Sequence, residues 1–148
     1  MTVEEIMTAD VVAVEEEMPI SQVAEIVAQK RIHGVPVVNK DRKVTGVITE
    51  TDFFKKDSSN MLYIPQLIES IKSGHVKKLD GDEQSLEAVV QGTAKDIMSK
   101  SCITIRPETP IEDFIVLVKS SGFSMFPVTN EDDTLLGIVT VFDMIKMI

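Results

Sequence analysis

Cysteine and tryptophan are nearly absent from this sequence of 148 residues, which contains one cysteine, Cys102, and no tryptophan. A single cysteine excludes a disulfide bond within the chain, so a reducing compartment fits the sequence and we expect a cytoplasmic protein. Cys102 lies in an apolar run, which favours a small buried side chain over a reactive nucleophile.

Positive charge is scarce as well. The chain has 15 lysines and arginines against 24 aspartates and glutamates, and its net charge is −9 at pH 7. Proteins that bind nucleic acids or anionic membranes use basic patches, so we expect neither as a partner. Long apolar runs are also lacking, and none approaches the roughly 18 residues of a membrane-spanning helix.

The sequence lacks the common motifs of catalysis and metal binding. It contains neither a Gly-x-x-x-x-Gly-Lys-Ser/Thr loop nor a Gly-x-Gly-x-x-Gly loop, which cradle phosphates in other proteins. Its two histidines, His33 and His75, lie far apart and show no spacing typical of zinc ligands. Because no nucleophile can be paired with a general base, we predict that the chain is not an enzyme and requires no cofactor.

What the sequence does contain is an internal repeat. Shifted by 91 positions, its two ends align without a gap over about fifty residues. The aligned pairs include Pro19 with Pro110, Pro36 with Pro127, Gly46 with Gly137, Thr49 with Thr140, and Asp52 with Asp143. Chance does not preserve one offset across prolines, glycines and aspartates together, so we predict two copies of one unit, at 1–58 and 94–148.

Each copy has the pattern strand, helix, strand, strand, helix. In the first copy, the apolar run 11–14 predicts a buried strand, and the apolar spacing over 20–27 predicts an amphipathic helix. Segments 35–38 and 43–49 predict a hairpin, and a closing helix is expected from Asp52. The equivalent segments of the second copy are strands at 102–105, 125–129 and 135–141 and helices at 110–118 and 142–148.

Residues 59–93 have no counterpart in the repeat. Apolar spacing predicts a helix over 64–72, Gly74 is a stop signal, and a further helix is predicted over 85–90. We therefore interpret 59–93 as a helical connector that carries the chain from one copy to the other.

Residues 6–55 and 97–146 each resemble a cystathionine-beta-synthase (CBS) domain. The matching features, in order, are an Ile-Met-Thr/Ser opening, an apolar strand, a Pro-Ile helix start, a hydrophobic-x-Pro-Val strand and a Gly-apolar-apolar-Thr-x-x-Asp ending. The resemblance covers nearly the whole chain and implies a Bateman module. Such a module is a mixed α/β (α+β) fold, in which two β-α-β-β-α repeats pack about a pseudo-two-fold axis and leave two clefts.

The resemblance also implies a function. Members of the family bind adenosine-containing ligands such as AMP, ADP, ATP or S-adenosylmethionine in these clefts, regulate an attached or partner protein, and often dimerise. It therefore implies a regulatory module that forms a homodimer, binds an adenosine-type small molecule and acts on a protein partner that the sequence does not identify.

Two Thr-x-x-Asp sequences are the first candidate ligand-binding positions, Thr49 with Asp52 and Thr140 with Asp143. A carboxylate can accept hydrogen bonds from both hydroxyls of a ribose, and a helix N-terminus offers N–H groups to a phosphate. Each aspartate could instead only cap a helix. With the family resemblance, we expect ligand binding in at least one cleft.

The segment before each central strand is the second candidate. The resemblance implies that it contributes apolar walls and backbone groups to an adenine pocket. Gly34 would allow close approach of a ring, and Met125 replaces it in the second copy, so we expect the two clefts to differ. The candidates are Ile32, His33, Gly34 and Pro36 in the first copy and Ser124, Phe126 and Pro127 in the second.

Charge near these segments is the third consideration. If a phosphate binds, Arg31 and His33 with the adjacent Lys30 are the expected contacts in the first copy, and Lys119 is the nearest base in the second. A solvated helix end that offsets the helix dipole explains Lys30 and Arg31 equally well.

Two other functions fit the same repeat. One is a dimerising scaffold without a functional ligand site. The other is the regulatory fragment of a larger enzyme or transporter. A scaffold would use a helix-to-helix interface formed by Phe53, Phe54, Met144, Ile145 and Met147.

Overall fold

A computed structural model describes residues 1–54 and 92–148 of the chain. The predicted connector helices at 64–72 and 85–90, and the predicted closing helix beyond residue 54, lie outside the described residues. No helix within 1–54 or 92–148 is long and apolar enough to span a lipid bilayer.

The first half of the chain contains a three-stranded sheet. Its elements are α1 (Val3–Ile6), β1 (Val14–Glu15), α2 (Ile20–Lys30), β2 (Gly34–Val38), β3 (Val44–Thr49) and the 3-10 turn Glu50–Phe54. Strand β2 is central, parallel to β1 and antiparallel to β3. Ile20 and Val23 of α2 pack in one apolar cluster with Val35 and Val37 of the sheet, which confirms the amphipathic helix.

The second half repeats this order of elements except for the first strand. They are α3 (Ala94–Ile97), α4 (Ile111–Ser121), β4 (Met125–Thr129), β5 (Leu135–Thr140) and α5 (Val141–Ile145). Strands β4 and β5 are antiparallel, and Phe114 of α4 packs edge-on against Phe126 of β4 with ring centroids 5.4 Å apart. The predicted mixed α/β fold built from two repeats is confirmed.

The first strand of each half differs from the prediction. Strand β1 begins only at Val14, and the predicted strand 102–105 is reduced to one parallel bridge between Ile105 and Val128. The cause is the path of the chain, since Thr8 still pairs with Ile138 of the second half before the chain reaches the first sheet at Val14. The intervening apolar residues cross between two sheets instead of extending one of them.

The opening segments of the two halves are exchanged. Thr2 and Thr8, at the start of the chain, pair with Pro110 and Ile138 of the second half. Thr93 and Ser99 open the second repeat, yet they pair with Pro19 and Val47 of the first half. The short helices that these segments form, α1 and α3, each begin with a capping box, between Thr2 and Glu5 and between Thr93 and Asp96.

The exchange extends into the two apolar cores. Ala94, Ile97 and Met98 belong to the core of the first half, with Val35 and Ile48. Val3 is fully buried in the core of the second half, with Phe114 and Phe126. Each core is therefore completed by residues from the start of the other repeat.

A pair of hydrogen bonds marks the pseudo-two-fold axis. Lys43 bridges Thr134, its own equivalent 91 positions later. The N–H of Val44 donates to the carbonyl of Asp133 at 3.1 Å, and the N–H of Leu135 donates to the carbonyl of Arg42 at 3.2 Å. Exchanging every residue for its equivalent converts one bond into the other, so the axis passes through this bridge.

Candidate functional site

A cleft of about 310 Å³ opens between the two halves of the molecule. Residues from three stretches line it: 47–52 at the end of β3 and in the turn after it, 99–102 after α3, and 122–125 between α4 and β4. Its volume falls at the lower end of the range typical of small-molecule sites. The cleft brings Thr49 and Asp52 of one half opposite Ser124 of the other.

Thr49 and Asp52 are joined by two hydrogen bonds. The backbone N–H of Thr49 donates to Oδ2 of Asp52 at 2.7 Å, and the Thr49 hydroxyl donates to the same oxygen at 3.2 Å. Asp52 is 4% exposed, so its carboxylate is held in one orientation beside the cleft. These bonds confirm that the aspartate caps the turn, while its contact with a ligand stays a prediction.

Thr140 and Asp143 repeat this geometry at the start of α5. The N–H and the hydroxyl of Thr140 donate to Oδ2 of Asp143 at 2.8 and 3.1 Å, and the N–H of Asp143 donates back to the hydroxyl at 3.3 Å. The other oxygen, Oδ1, lies 3.4 Å from the ammonium group of Lys146. Asp143 is 7% exposed, so this carboxylate is buried, capped and paired with a cation.

The wall opposite Asp52 follows the C-terminus of α4. Gly122 ends this helix with a φ of 76°, in the left-handed region that glycine adopts easily. The N–H of Phe123 donates to the hydroxyl of Ser121 at 3.1 Å, and its ring packs against that of Phe126. This packing sets the position of Ser124, which lies exposed at the cleft.

The equivalent wall of the first half carries charge. Arg31 ends α2 with a φ of 53°, and the imidazole Nδ1 of His33 lies 3.0 Å from Oε1 of Glu50. Arg31 and His33 are both exposed, and neither lines the cleft beside Asp52. The pseudo-two-fold axis relates this wall to 122–125, and so places it on the side of Thr140 and Asp143.

Gly34 and Met125, which are equivalent in the repeat, meet near the axis. A Cβ placed on Gly34 would lie 2.7 Å from Cε of Met125 and 2.9 Å from its sulfur. The backbone carbonyl oxygen of Ile48 would lie 2.9 Å from the same Cβ and, unlike the flexible end of the methionine side chain, could not move aside easily, so this position favours glycine. Of the two, Met125 lines the cleft.

The remaining predicted residues lie in the cores or on the surface. Ile32 is partly buried against the first core, and Pro36 is buried in the middle of β2. Phe126 and Pro127 are buried in β4, and Lys119 is exposed on α4 without lining the cleft. The structure thus brings together Thr49, Asp52 and Ser124 of the predicted set, and their contact with a ligand stays a prediction.

Sequence reasoning missed the lining residues that follow α3. Ser99, Ser101 and Cys102 face the cleft from a stretch that pairs with the opposite half. Burial raises the pKa of the Cys102 thiol above its ordinary value, opposed in part by a backbone hydrogen bond. The sequence feature that could have identified Ser99 is the Thr/Ser position of the repeated Ile-Met-Thr/Ser opening, to which the sequence analysis assigned no role.

The residues expected at a scaffold interface divide into two groups. Phe53 packs partly buried against the first core and Met144 against the second. Ile145 is 54% exposed and Met147 is 44% exposed. The side chain of Phe54 lies outside the described residues.

A family model described as "CBS domain" matches residues 3–59 and 94–148. The protein MJ1426 of Methanocaldococcus jannaschii is 27% identical, and the match covers 99% of this chain and 90% of that protein. The homoserine O-acetyltransferases of Methanohalobium evestigatum and Methanosalsum zhilinae are 26% and 28% identical, and the matches cover 99% and 100% of this chain but only 24% of each of those proteins.

Solved structures share the fold. CBSX2 of Arabidopsis thaliana in complex with AMP has a TM-score of 0.71 and 22% identity, covering 99% of this chain and 94% of that one. The CBS domain pair of protein MJ0100, in complex with 5′-methylthioadenosine and S-adenosyl-L-methionine, has a TM-score of 0.69 and 18% identity, covering 99% and 98%. With the internal repeat and the pseudo-two-fold axis, these matches identify the chain as a member of the CBS-domain family that contains two CBS domains.

Proposed function

We propose that this protein is a regulatory module that binds an adenosine-type small molecule in the cleft beside Thr49 and Asp52. The observation that carries the proposal is the buried, oriented carboxylate of Asp52 in a cleft formed by both halves. The relatives with AMP, 5′-methylthioadenosine and S-adenosyl-L-methionine bound support this class of ligand.

The lining suits a nucleoside in three ways. A charged carboxylate such as Asp52 is a strong acceptor for the two hydroxyls of a ribose. The hydroxyls of Ser99 and Ser124 offer further donors and acceptors. Val47 and Phe123 offer apolar surface for a purine ring.

Regulation would follow from the division of the cleft between the halves. Asp52 belongs to the first half and the 122–125 wall to the second, so a ligand contacts both at once. A ligand shifts such a molecule between two arrangements only if it binds one of them more tightly. A protein partner that recognises one arrangement would then respond to the ligand, and the proposal assigns the chain no reaction of its own.

Thermal unfolding in the presence of adenosine, AMP, ADP, ATP and S-adenosylmethionine tests the proposal. A ligand present at about 100 times its Kd should stabilise the folded protein by about 2.7 kcal/mol. We expect Asp52→Asn to lose most of this stabilisation, because the neutral amide is a weaker acceptor for the ribose hydroxyls.

Asp96→Asn is the matched control. Asp96 accepts the same two hydrogen bonds from Thr93, at 2.8 and 3.3 Å, but it is exposed and does not line the cleft. This variant should keep the full ligand response. The proposal is wrong if no compound stabilises the protein, or if Asp52→Asn responds as the wild type does.

A dimerising scaffold is the second candidate function. Phe142, Ile145 and Met147 in and after α5 are 63%, 54% and 44% exposed, an unusual amount of apolar surface for one short segment. The 24% coverage of the two acetyltransferases also fits a module that works within a larger protein. A scaffold predicts a homodimer with no response to any adenosine compound.

A further inference from the structure

Met125 lies at the cleft and also near the pseudo-two-fold axis. It lines the cleft beside Asp52. Its sulfur and its methyl carbon lie against Gly34 of the other half, within 2.9 Å of the place where a Cβ of that glycine would stand. One residue therefore contacts both the cleft and the opposite half, and the inference drawn from it rests on the proposed function.

Gly34 joins this contact to the first cap, which is Thr49 with Asp52. Gly34 is the partner of Thr49 in the pairing of β2 with β3, and Thr49 donates two hydrogen bonds to Asp52. The carbonyl of His33, the residue before the glycine, accepts a hydrogen bond from the N–H of Glu50 at 3.3 Å. The backbone on which the methionine rests is thus bonded directly to the turn that holds the carboxylate.

Met125 itself is joined to the second cap, which is Thr140 with Asp143. Met125 is the partner of Thr140 in the pairing of β4 with β5. The carbonyl of Ser124 accepts a hydrogen bond from the N–H of Val141, the first residue of α5, at 3.0 Å. A displacement of Met125 is therefore passed by paired backbone to the residues that orient the carboxylate of Asp143.

The chemistry of methionine suits a contact that can change. Its unbranched side chain has three rotatable bonds and fits irregular spaces in more than one conformation. In the described conformation its end fills the space beside Gly34, where a glycine leaves room. A ligand that fills the cleft as far as Met125 meets the same side chain, and it shifts the molecule toward whichever conformation it binds more tightly.

We propose that Met125 couples the cleft beside Asp52 to the second cap. A ligand in the cleft changes how the methionine rests on Gly34, and the pairing of Met125 with Thr140 carries the change to Asp143. Such coupling is reciprocal, so a change at the second cap alters the affinity of the cleft for its ligand. The two cleft positions that the axis generates then respond to each other.

NMR of protein labelled with 13C in the methionine methyl groups tests this coupling. The signal of Met125 reports its contact with Gly34. Met144 follows Asp143 in the chain, packs on the second core and does not line the cleft, so its signal reports the second cap. Adenosine, titrated to about ten times the Kd measured by calorimetry, should shift both signals with the same midpoint.

Met125→Ala removes the atoms that contact Gly34. Adenosine should still bind this variant, but the shift that it causes at Met144 should fall to less than half of the wild-type shift. Met18→Ala is the matched control, because it removes the same side chain from a place beside the first core and should leave the response of Met144 unchanged. Met125→Val, which is also short and suits a strand, replaces the alanine variant if that protein does not fold.

The coupling can also be measured without a ligand. Thr49→Val removes the hydroxyl bond of the first cap. It should shift the Met144 signal, and Met125→Ala in the same protein should reduce this shift by at least half. Thr93→Val removes the equivalent hydroxyl bond from the capping box of α3 and should not shift Met144.

The outcomes separate this inference from the proposed function. Bound adenosine that leaves the Met144 signal unmoved, or that shifts it equally in Met125→Ala, overturns the coupling and leaves adenosine binding intact. If adenosine does not bind the wild type or the variant, Thr49→Val decides: an unmoved Met144 signal, or one that moves equally without the Met125 side chain, overturns the coupling. Absence of binding by every adenosine compound defeats the proposed function itself.

Discussion

Asp52 and Asp143 show how one side chain at equivalent positions acquires different surroundings. Both accept hydrogen bonds from the threonine three residues earlier, which orients the carboxylate. Asp52 lines the cleft between the halves, and Asp143 is not among the residues that line it. The cap is common to both aspartates and the position at the cleft is not, so we propose the ligand contact for Asp52.

A methyl group added at Gly137 is predicted to destabilise the fold. A Cβ at this position would lie 2.6 Å from the carbonyl oxygen of Thr8, which accepts a hydrogen bond from the N–H of Ile138. Gly137→Ala must therefore push the exchanged opening segment away from β5. We expect it to reduce the free energy of unfolding by about 1–3 kcal/mol, measured by urea denaturation.

Gly122→Ala is the control for that measurement. Its Cβ meets nothing within 4 Å, so the expected loss of about 1 kcal/mol comes only from the left-handed backbone, with φ at 76°. An unchanged stability for Gly137→Ala would mean that the opening segment does not contact β5 as described.

At this scale, motifs located part of the cleft. The Thr-x-x-Asp pattern identified Thr49 and Asp52 because a repeated capping geometry leaves a repeated sequence. It did not identify Ser99 or Cys102, because these residues reach the cleft through the exchange of segments, which depends on tertiary packing. His33 has the right chemistry for a phosphate contact, yet it pairs with Glu50 on the surface.

Periodicity predicted the helices of the fold better than the first strands. Helices α2 and α4 bury one face each, and such a face has a clear 3.6-residue pattern. The apolar runs 11–14 and 102–105 predict strands, but most of their residues cross between the halves. A short apolar run indicates only that a segment is buried, so the sequence alone does not distinguish a buried segment that crosses between the halves from a buried strand.

The exchange of α1 and α3 gives a prediction at the scale of elements. Val3 is fully buried and packs in the same core as Phe114 and Phe126, more than one hundred positions away. Val3→Ala should reduce the free energy of unfolding by about 2 kcal/mol, because it removes the two buried methyl groups of the valine and leaves a cavity. Urea denaturation measures the loss.

The site of the structural change in Val3→Ala distinguishes α1 packed on the second half from α1 packed on its own half. The aromatic NMR signals of Phe114 and Phe126 should shift in Val3→Ala, while those of Phe53, which packs on the first core, should not. Glu4→Ala, at an exposed position of α1, should change neither the stability nor these signals. Shifts centred on Phe53 would show that α1 packs on its own half.

At the scale of the whole molecule, the two repeats share one backbone arrangement and differ in the side chains that they place beside the cleft. The bonds between 42–44 and 133–135 place the pseudo-two-fold axis, which generates two related cleft positions from one sequence pattern. Equivalent positions of the repeat then carry different residues, Gly34 where the second half has Met125 and Arg31 where it has Gly122, so the two sides differ chemically. Alignment of the repeats predicted this difference, but not which wall faces which aspartate, because that depends on how the halves pack.

The most direct measurement of the central claim is a crystal structure of the protein grown with adenosine. We expect the nucleoside between the halves, with its 2′ and 3′ hydroxyls about 2.6–3.2 Å from the carboxylate oxygens of Asp52. A cleft filled by the side chains of Phe123 and Met125, with adenosine absent or bound elsewhere, would contradict the claim.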